Sequence, residues 1–163
     1  MATKLATDVL PALRLYRIAS RSHKIFDGTG AAIVGGRWNQ IGTLVIYTST
    51  SLAAAKLELL AHIGFGGLPK NYSFVEILIP DNAQVEIYRG KSPPENRIKS
   101  VAWGTSWQMK GKTLLARVPS QASPGEFNFV INPSHQDVLR LIVSKEQPAK
   151  WDSRHFTEFV RNL

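Results

Sequence analysis

The sequence predicts a single α+β domain with mixed or antiparallel strands and few helices. Alternating or apolar runs of strand length, separated by glycine, proline and polar turns, outnumber the helical stretches along the 163 residues. A regular alternation of strand and helix, which is typical of a doubly wound parallel sheet, is missing. With 44% hydrophobic residues and a length near that of one domain, residues 1–163 are expected to fold as one unit around one core.

The elements follow one another in a simple order. Alternating or apolar runs predict strands over residues 13–19, 44–49, 73–80, 84–88, 114–119, 127–131 and 138–144. Helices are predicted over 51–63, where hydroxyl side chains offer a cap, and over 98–110, where Gly104 weakens the helix. The glycine-rich residues 27–42 are predicted to form a structured loop, and the tail from Trp151 to end in a helical turn.

The composition excludes several classes of site. The sequence has no cysteine, which excludes disulfides, thiolate zinc sites, iron–sulfur clusters and cysteine nucleophiles. His23, His62, His135 and His155 lack the spacing of metal ligands, so we expect no metal site. The first twenty residues lack a signal-peptide pattern, and no run approaches the roughly 20 apolar residues that cross a bilayer. The sequence therefore predicts a cytoplasmic protein with no membrane partner.

The positive charge of the chain indicates an anionic partner. The formal net charge is +8 and the pI is near 10.0. Residues 89–117 carry seven basic side chains and one acid, together with Trp103 and Trp107, which offer stacking surfaces for RNA. A solvated basic face, or a docking face for an acidic protein, explains the same segment, and we prefer these explanations. Charge alone leaves nucleic acid, a phosphorylated small molecule and an acidic protein open.

Glu58 is the only acid between residues 28 and 75, and it lies within an apolar predicted helix. At about 100° per residue, its neighbours on the same face are mostly small. They are Ser51, Ala54, Ala55, Ala61 and His62. Small neighbours leave room beside the carboxylate for a ligand or a partner side chain. The alternative is an ordinary solvated glutamate, and the residues alone do not choose between the two.

Two further features are candidate parts of a site. Residues 35–39, GGRWN, combine a permissive backbone with a guanidinium that can bind phosphate and an indole that can stack. A turn with Trp38 in the core is the alternative. Ser120 follows a predicted strand without the GxSxG pattern of a serine nucleophile, so we expect its hydroxyl to serve in hydrogen bonding.

Several motifs, taken in order, resemble those of the RES-domain toxins. They are LYRIAS at 15–20, GGRWNQIGTLVIYTS at 35–49 followed by the LELL helix, ARVPS at 116–120 and FNFVINPSH at 127–135. The match runs from about residue 14 to 154, which marks the core of a single RES-like domain. Such proteins are the toxin half of bacterial toxin–antitoxin pairs whose antitoxin is an Xre-like helix-turn-helix protein.

The resemblance implies a fold similar to that of ADP-ribosyltransferases and an enzyme that consumes NAD+ as its substrate, with no additional cofactor. The reaction it implies is cleavage of the nicotinamide–ribose bond by glycohydrolysis or phosphorolysis, which depletes cellular NAD+. The alternative is an ADP-ribosyltransferase that modifies a macromolecule. The implied partners are NAD+, the Xre-like antitoxin and, within the antitoxin complex, a second copy of the chain, with no direct nucleic-acid partner.

The resemblance also assigns site residues by motif. The catalytic arginine, glutamate and serine from which the family takes its name fall on Arg17, Glu58 and Ser120. Glu58 is expected to stabilise positive charge on the ribose, within arginine-rich surroundings, and Ser120 to position Glu58 or the ligand.

The remaining expected contacts are with the substrate. Arg17 and Arg37 are expected to hold the pyrophosphate, and Tyr47 to pack against nicotinamide or its ribose. Trp38 and Asn39, from the same motif as Arg37, complete the expected substrate-binding set.

Overall fold

The structure is a computed structural model that describes residues 13–64, 67–91, 97–154 and 156. The strands are β1 (Arg14–Ser20), β2 (Ile46–Ser49), β3 (Tyr72–Leu78), β4 (Val85–Ile87), β5 (Leu115–Pro119), β6 (Phe127–Ile131), β7 (Ile142–Val143) and β8 (Gln147–Pro148). The helices are α1 (Thr29–Val34), α2 (Leu52–Ile63) and α3 (Arg97–Lys110), with a 3-10 helix at Gln136–Arg140.

The strands belong to one sheet in the order β4-β5-β6-β2-β1-β3-β7, with β8 also paired to β3. Every pair is antiparallel except β4 with β5, which run parallel. A mostly antiparallel sheet with few helices is an α+β architecture, which confirms the predicted fold class.

Strand β1 is joined unequally to its two neighbours. It pairs with β3 over all seven of its residues, but with β2 only where Tyr16 lies opposite Ser49. Beyond that pair, the backbone groups along the gap between β1 and β2 need other hydrogen-bond partners. The gap lies in the middle of the sheet, and α2 packs against both strands.

Side chains on the two faces of the sheet form two cores, where the sequence predicted one. The first contains Leu15, Ile25, Ile46, Val75, Ile77, Ile79, Leu114, Leu115, Phe129 and Ile131. The second contains Trp38, Val45, Trp107, Ala116, Val118 and Val130. Alternation along β5 explains the division, because Leu115 joins the first core whereas Ala116 and Val118 join the second. Helix α3 contributes Trp107 to the second core and thereby lies beside the glycine-rich segment.

A short helix occupies part of the predicted loop 27–42. The carboxylate of Asp27 accepts a hydrogen bond from the amide of Thr29, and Gly28 has a φ of 76°. This left-handed conformation suits glycine, and the turn that it makes starts α1. The loop prediction is therefore wrong for the six residues of α1.

The strand predicted over 138–144 is wrong for most of its length. The 3-10 helix covers its first half, and only β7 pairs with the sheet. Val138 and Leu141 pack on the first core, whereas Leu139 is 89% exposed. A period of three residues fits a 3-10 helix and not a strand. The last residues of the tail lie outside the described part of the chain, and before them Ser153, Arg154 and Phe156 adopt a 3-10 conformation.

Candidate functional site

Glu58 lies on α2, whose start is fixed by a serine cap. The hydroxyl of Ser51 accepts a hydrogen bond from the amide of Ala54. Glu58 is half-buried, and its Oε1 accepts hydrogen bonds from Ser120 Oγ at 2.6 Å and from Asn128 Nδ2 at 2.5 Å. Within the described residues, Oε2 accepts no hydrogen bond. The carboxylate is thus held by one oxygen and keeps the other available.

Ser120 is held at the end of β5 by its own loop. Its amide donates to the carbonyl of Glu126 at 2.9 Å, and its Oγ accepts from the amide of Ser123 at 2.9 Å. Because Ser123 occupies a lone pair of this oxygen, the single hydroxyl proton is directed at Glu58. The expectation that Ser120 serves through hydrogen bonding agrees with this geometry.

Asn128, on β6, is a site residue that the sequence reasoning missed. Its amide is the second donor to Glu58, although it lies inside a motif quoted for the family resemblance. The alternation of side chains along β6 could have identified it. Asn128 is polar and lies on the same face of the strand as Val130, whereas Phe129 lies on the other face. A lone amide on an apolar strand face indicates a partner across that face.

One row of side chains crosses the adjacent strands β5, β6, β2 and β1 at the position of Asn128. Val118 lies opposite Asn128, Asn128 opposite Ser49, and Ser49 opposite Tyr16. Directly opposed residues of antiparallel strands share a face, so the row lies on the face of the second core, under Glu58. Tyr16 is half-buried at the end of this row and is a further side chain that the motif assignments did not include.

Arg17 lies on the face of the sheet that carries the first core. Alternation along β1 puts it on the side of Leu15, away from Tyr16. Its Nε donates to the carbonyl of Ile25, and its Nη1 donates to the carbonyl of Tyr47 at 3.1 Å. The guanidinium thus bridges the gap between β1 and β2. Burial lowers the pKa of Arg17 to about 10 despite the nearby charge of Asp27.

The GGRWN segment is fixed from within by Tyr47 and Asn39. The hydroxyl of Tyr47 donates to Asn39 Oδ1 at 2.7 Å and accepts from the amide of Trp38 at 3.0 Å. Asn39 Nδ2 donates to three carbonyls, of which that of Ala31 is nearest at 2.8 Å. A Cβ at Gly36 would lie 2.4 Å from the hydroxyl oxygen of Tyr47, so only glycine allows this approach.

Trp38 and Asn39 are enclosed in the structure. Trp38 is 3% exposed and packs edge-on against Tyr88 and Trp103, with ring centroids 4.7 and 5.7 Å away. Asn39 is 1% exposed, and its amide is fully used inside the loop. The structure therefore has Trp38 in the core, which is the alternative that the sequence left open. Contact of either side chain with a substrate stays a prediction that this geometry does not support.

Arg37 is the available guanidinium of the loop. It is half-buried and makes no hydrogen bond or ion pair with the described residues. Burial raises the pKa of Tyr47 to about 12, against the opposing effects of the Trp38 amide and the positive charges of Arg97 and Arg37. Both guanidiniums therefore lie near the Tyr47 hydroxyl. Arg97, an exposed residue at the start of α3, was not among the site residues predicted from the sequence.

The structure brings the predicted residues together in two groups. Glu58 and Ser120 contact each other directly, whereas Arg17, Arg37 and Tyr47 surround the β1–β2 gap and the loop beside it. The groups lie on consecutive strands, since β5, β6, β2 and β1 are adjacent in the sheet. Both hydrogen-bond donors to Glu58 are neutral, and neither Arg17 nor Arg37 bonds to its carboxylate.

Two cavities lie elsewhere, between α3 and residues 40–44. Their volumes are about 500 and 430 Å³, and neither is lined by a predicted site residue. In the part of the chain that the structure describes, no three metal-ligating side chains come together. Over the same residues, no helix has the length and apolar character needed to span a membrane.

Comparison with known proteins places this arrangement in a family. Residues 14–152 match the RES domain. A relative from Sphingobium sp. (strain YBL2), described as a Prs ADP-ribosylating toxin, is 38% identical over 152 residues, covering 85% of this chain and 94% of the relative. A protein of Photorhabdus laumondii subsp. laumondii described as Toxin Res is 31% identical over 136 residues, covering 78% of this chain and 86% of the relative.

A solved structure shows the same fold. In the MbcT–MbcA toxin–antitoxin complex of M. tuberculosis, the matching chain superposes with a TM-score of 0.67 at 17% identity, covering 90% of this chain and 88% of that chain. The family resemblance drawn from the motifs is thereby confirmed: this chain belongs to the RES domain family.

Proposed function

We propose that this chain is the toxin component of a toxin–antitoxin pair and that it cleaves the nicotinamide–ribose bond of NAD+ in the cytoplasm. Membership of the RES domain family supports the proposal, as do the toxins among its relatives. NAD+ is the substrate, and the reaction needs no metal, because the cationic pyridinium is already a good leaving group.

The observation that carries this proposal is the arrangement at Glu58. Ser120 and Asn128 both donate to Oε1, and Oε2 remains available to accept hydrogen bonds from ribose hydroxyls. A carboxylate held in this way stabilises positive charge as it develops on the sugar, and its donors need no reorganisation during the reaction. A solvated helix glutamate would lack both donors.

The bond changes are simple. The bond between the nicotinamide nitrogen and the anomeric carbon of ribose breaks, and both electrons go to the nitrogen. A new bond forms between that carbon and an oxygen of the acceptor, which loses a proton when the acceptor is water. Glu58 acts on the transition state, in which the sugar resembles an oxocarbenium ion, more than on bound NAD+.

The arginines have separate tasks. Arg37 has no partner among the described residues and is the candidate for binding the pyrophosphate oxygens. Arg17 shapes the site by bridging β1 and β2, while its Nη2 bonds to none of the described residues. Tyr47 supports the loop that carries Arg37. Direct contact of Arg17 with the pyrophosphate and of Tyr47 with nicotinamide stay predictions.

A second candidate function breaks the same bond. The Sphingobium relative, which is 38% identical, is described as an ADP-ribosylating toxin. For this chain, transfer of ADP-ribose to a macromolecule would use the same Glu58 chemistry with a different acceptor. The two functions therefore differ in the acceptor of the ADP-ribose group, and the site residues are the same for both.

The partner that fits this function is an antitoxin protein of the Xre type. The similar fold of M. tuberculosis was solved in a toxin–antitoxin complex. The net charge of +8 favours an acidic face on the partner. Residues 97–113 contain no acid and carry four exposed basic side chains, and we propose this segment for that contact.

The test is a nicotinamide-release assay on the purified chain, with and without inorganic phosphate, with products identified by mass. Release of nicotinamide with ADP-ribose indicates hydrolysis, and release with ADP-ribose phosphate indicates phosphorolysis. Labelled NAD+ incubated with a cell lysate tests the alternative, because label on a macromolecule indicates transfer. No nicotinamide release under any of these conditions would contradict both functions.

A further inference from the structure

We infer that Asn128 is a positioning residue, which fixes the Glu58 carboxylate so that Oε2 faces the ribose of the substrate. This inference rests on the proposed function and assigns a role to a residue outside the arginine, glutamate and serine of the motif. It follows from the orientation of the Asn128 amide, from the place of Asn128 in the sheet and from the geometry of the two donors.

The orientation of the Asn128 amide is set by its partner. A carboxylate only accepts hydrogen bonds, so the atom at 2.5 Å from Glu58 Oε1 must be the NH2 group. This leaves Asn128 Oδ1 buried and without a hydrogen-bond partner among the described residues. Burial of an acceptor without a partner is unfavourable, and an apolar side chain of similar size would avoid it. The amide therefore serves Glu58 and not the packing of the core.

The backbone at Asn128 is held on both sides. It lies in the middle of three paired strands, opposite Ser49 of β2 and Val118 of β5. A side chain carried by a central strand is placed more accurately than one carried by a loop. Ser120, by comparison, lies just after β5 at the start of a loop. Asn128 is the more rigid of the two supports.

The two donors act together on one atom. Ser120 and Asn128 approach Oε1 from adjacent strands, at 2.6 and 2.5 Å. If the carboxylate turned about its last bond, it would lose both hydrogen bonds at once. Oε2 is therefore held in one direction, and loss of Asn128 leaves a single donor about which the group can pivot.

The test compares Asn128→Ala with a matched control, Asn132→Ala. Asn132 is also buried, but its amide donates to the carbonyl of Gln108 and accepts from the amide of Ser134, far from Glu58 in the hydrogen-bond network. In the nicotinamide-release assay, Asn128→Ala is expected to lower kcat by about 10- to 100-fold, since small misplacements of a reacting group have effects of this size. KM for NAD+ should change by less than about threefold, because the pyrophosphate contacts remain. Asn132→Ala should lower Tm and leave kcat unchanged.

Asn128→Asp tests whether residue 128 contacts the carboxylate on which kcat depends. It keeps the shape of the side chain but places a second carboxyl group against Glu58. Two carboxyl groups in contact resist ionising together, so the low-pH limb of the kcat profile should move to higher pH. Asn132→Asp should leave that limb in place. If Asn128→Ala does not fold, Asn128→Asp is measured instead, and a pH profile equal to that of the wild type refutes the contact between residue 128 and Glu58.

The activity of the wild-type chain distinguishes failure of the Asn128 role from failure of the proposed function. If the wild-type chain releases nicotinamide, and folded Asn128→Ala has unchanged kcat or Asn128→Asp has an unchanged pH profile, the role of Asn128 is refuted while the proposed function stands. If the wild-type chain releases none, the proposed function itself fails and this inference fails with it.

Discussion

Replacing Gly104 with alanine tests the contact between α3 and the glycine-rich loop. A Cβ at Gly104 would lie 2.0 Å from the carbonyl oxygen of Trp38 and 2.8 Å from its carbonyl carbon. The first distance is about 1.4 Å short of the 3.4 Å at which ordinary van der Waals contact begins. Both atoms belong to the main chain, so the overlap is relieved only if α3 and the loop move apart.

The magnitude follows from two opposing effects. Alanine in a helix interior is favoured over glycine by about 1 kcal/mol. Overpacking destabilises by about 1 to 3 kcal/mol, and an overlap with main-chain atoms belongs at the upper end of this range. The net loss is about 2 kcal/mol, which lowers Tm by about 4 to 8 °C for a chain of this length. The displaced loop carries Arg37, so KM for NAD+ should also rise.

Gly30→Ala is the matched control. Gly30 lies in α1, has no heavy atom within 4 Å of its added Cβ and does not have a positive φ. The same substitution should therefore stabilise the protein there, by up to about 1 kcal/mol. Thermal unfolding followed by circular dichroism measures both variants. A Gly104→Ala variant at least as stable as Gly30→Ala would refute the close approach of α3 to Trp38.

Three further predictions concern the loop and its neighbours. Arg37→Ala should raise KM for NAD+ about tenfold or more with little change in kcat. The control Arg14→Ala, which removes an exposed ion pair, should change neither KM nor kcat. A KM of Arg37→Ala equal to that of the wild type would exclude Arg37 from substrate binding. Burial raises the pKa of Tyr47 to about 12, so its proton stabilises the fold below pH 10, and this stabilisation is lost between pH 10 and 12. Urea unfolding should therefore show the stability difference between wild type and Tyr47→Phe narrowing over that range, and a constant difference would contradict the burial of the hydroxyl. Ser120→Ala should lower kcat by about 10- to 100-fold, and an unchanged kcat would remove Ser120 from the site.

Much of the fold could be predicted from local patterns of apolar and polar residues in the sequence. β1, β2 and α2 lie where alternation, an apolar run and a serine cap predicted them. The 3-10 helix was missed because VLRLIVS satisfies a strand pattern, while its side chains follow a period of three that only packing reveals. Gly104 was predicted to weaken α3, and the structure adds a reason for glycine there, since a Cβ would overlap the main chain of Trp38.

Part of the site could be predicted from motifs, and the rest depends on contacts between distant parts of the chain. Glu58 and Ser120 were identified by motif, and the structure joins them by a hydrogen bond. Asn128 was missed because its role depends on strand register, which brings residues 70 positions apart in the chain together. Arg17 was expected at the pyrophosphate, and the structure adds that its guanidinium binds two main-chain carbonyls, that of Tyr47 across the gap between β1 and β2 and that of Ile25 in the segment after β1. Neither register nor an unpaired strand edge is visible in one sequence.

The most direct test of the account is the initial rate of nicotinamide release by Glu58→Gln. The substituted amide side chain keeps an oxygen that can accept from Ser120 and Asn128, so the variant should fold with a Tm near that of the wild type. Loss of the negative charge should lower kcat by about 10²- to 10³-fold, as the loss of a preorganised electrostatic group does. The control is Asp81→Asn, which removes an exposed carboxylate in the turn between β3 and β4 and should release nicotinamide at the wild-type rate. A folded Glu58→Gln protein that releases nicotinamide as fast as the wild type would contradict the central claim.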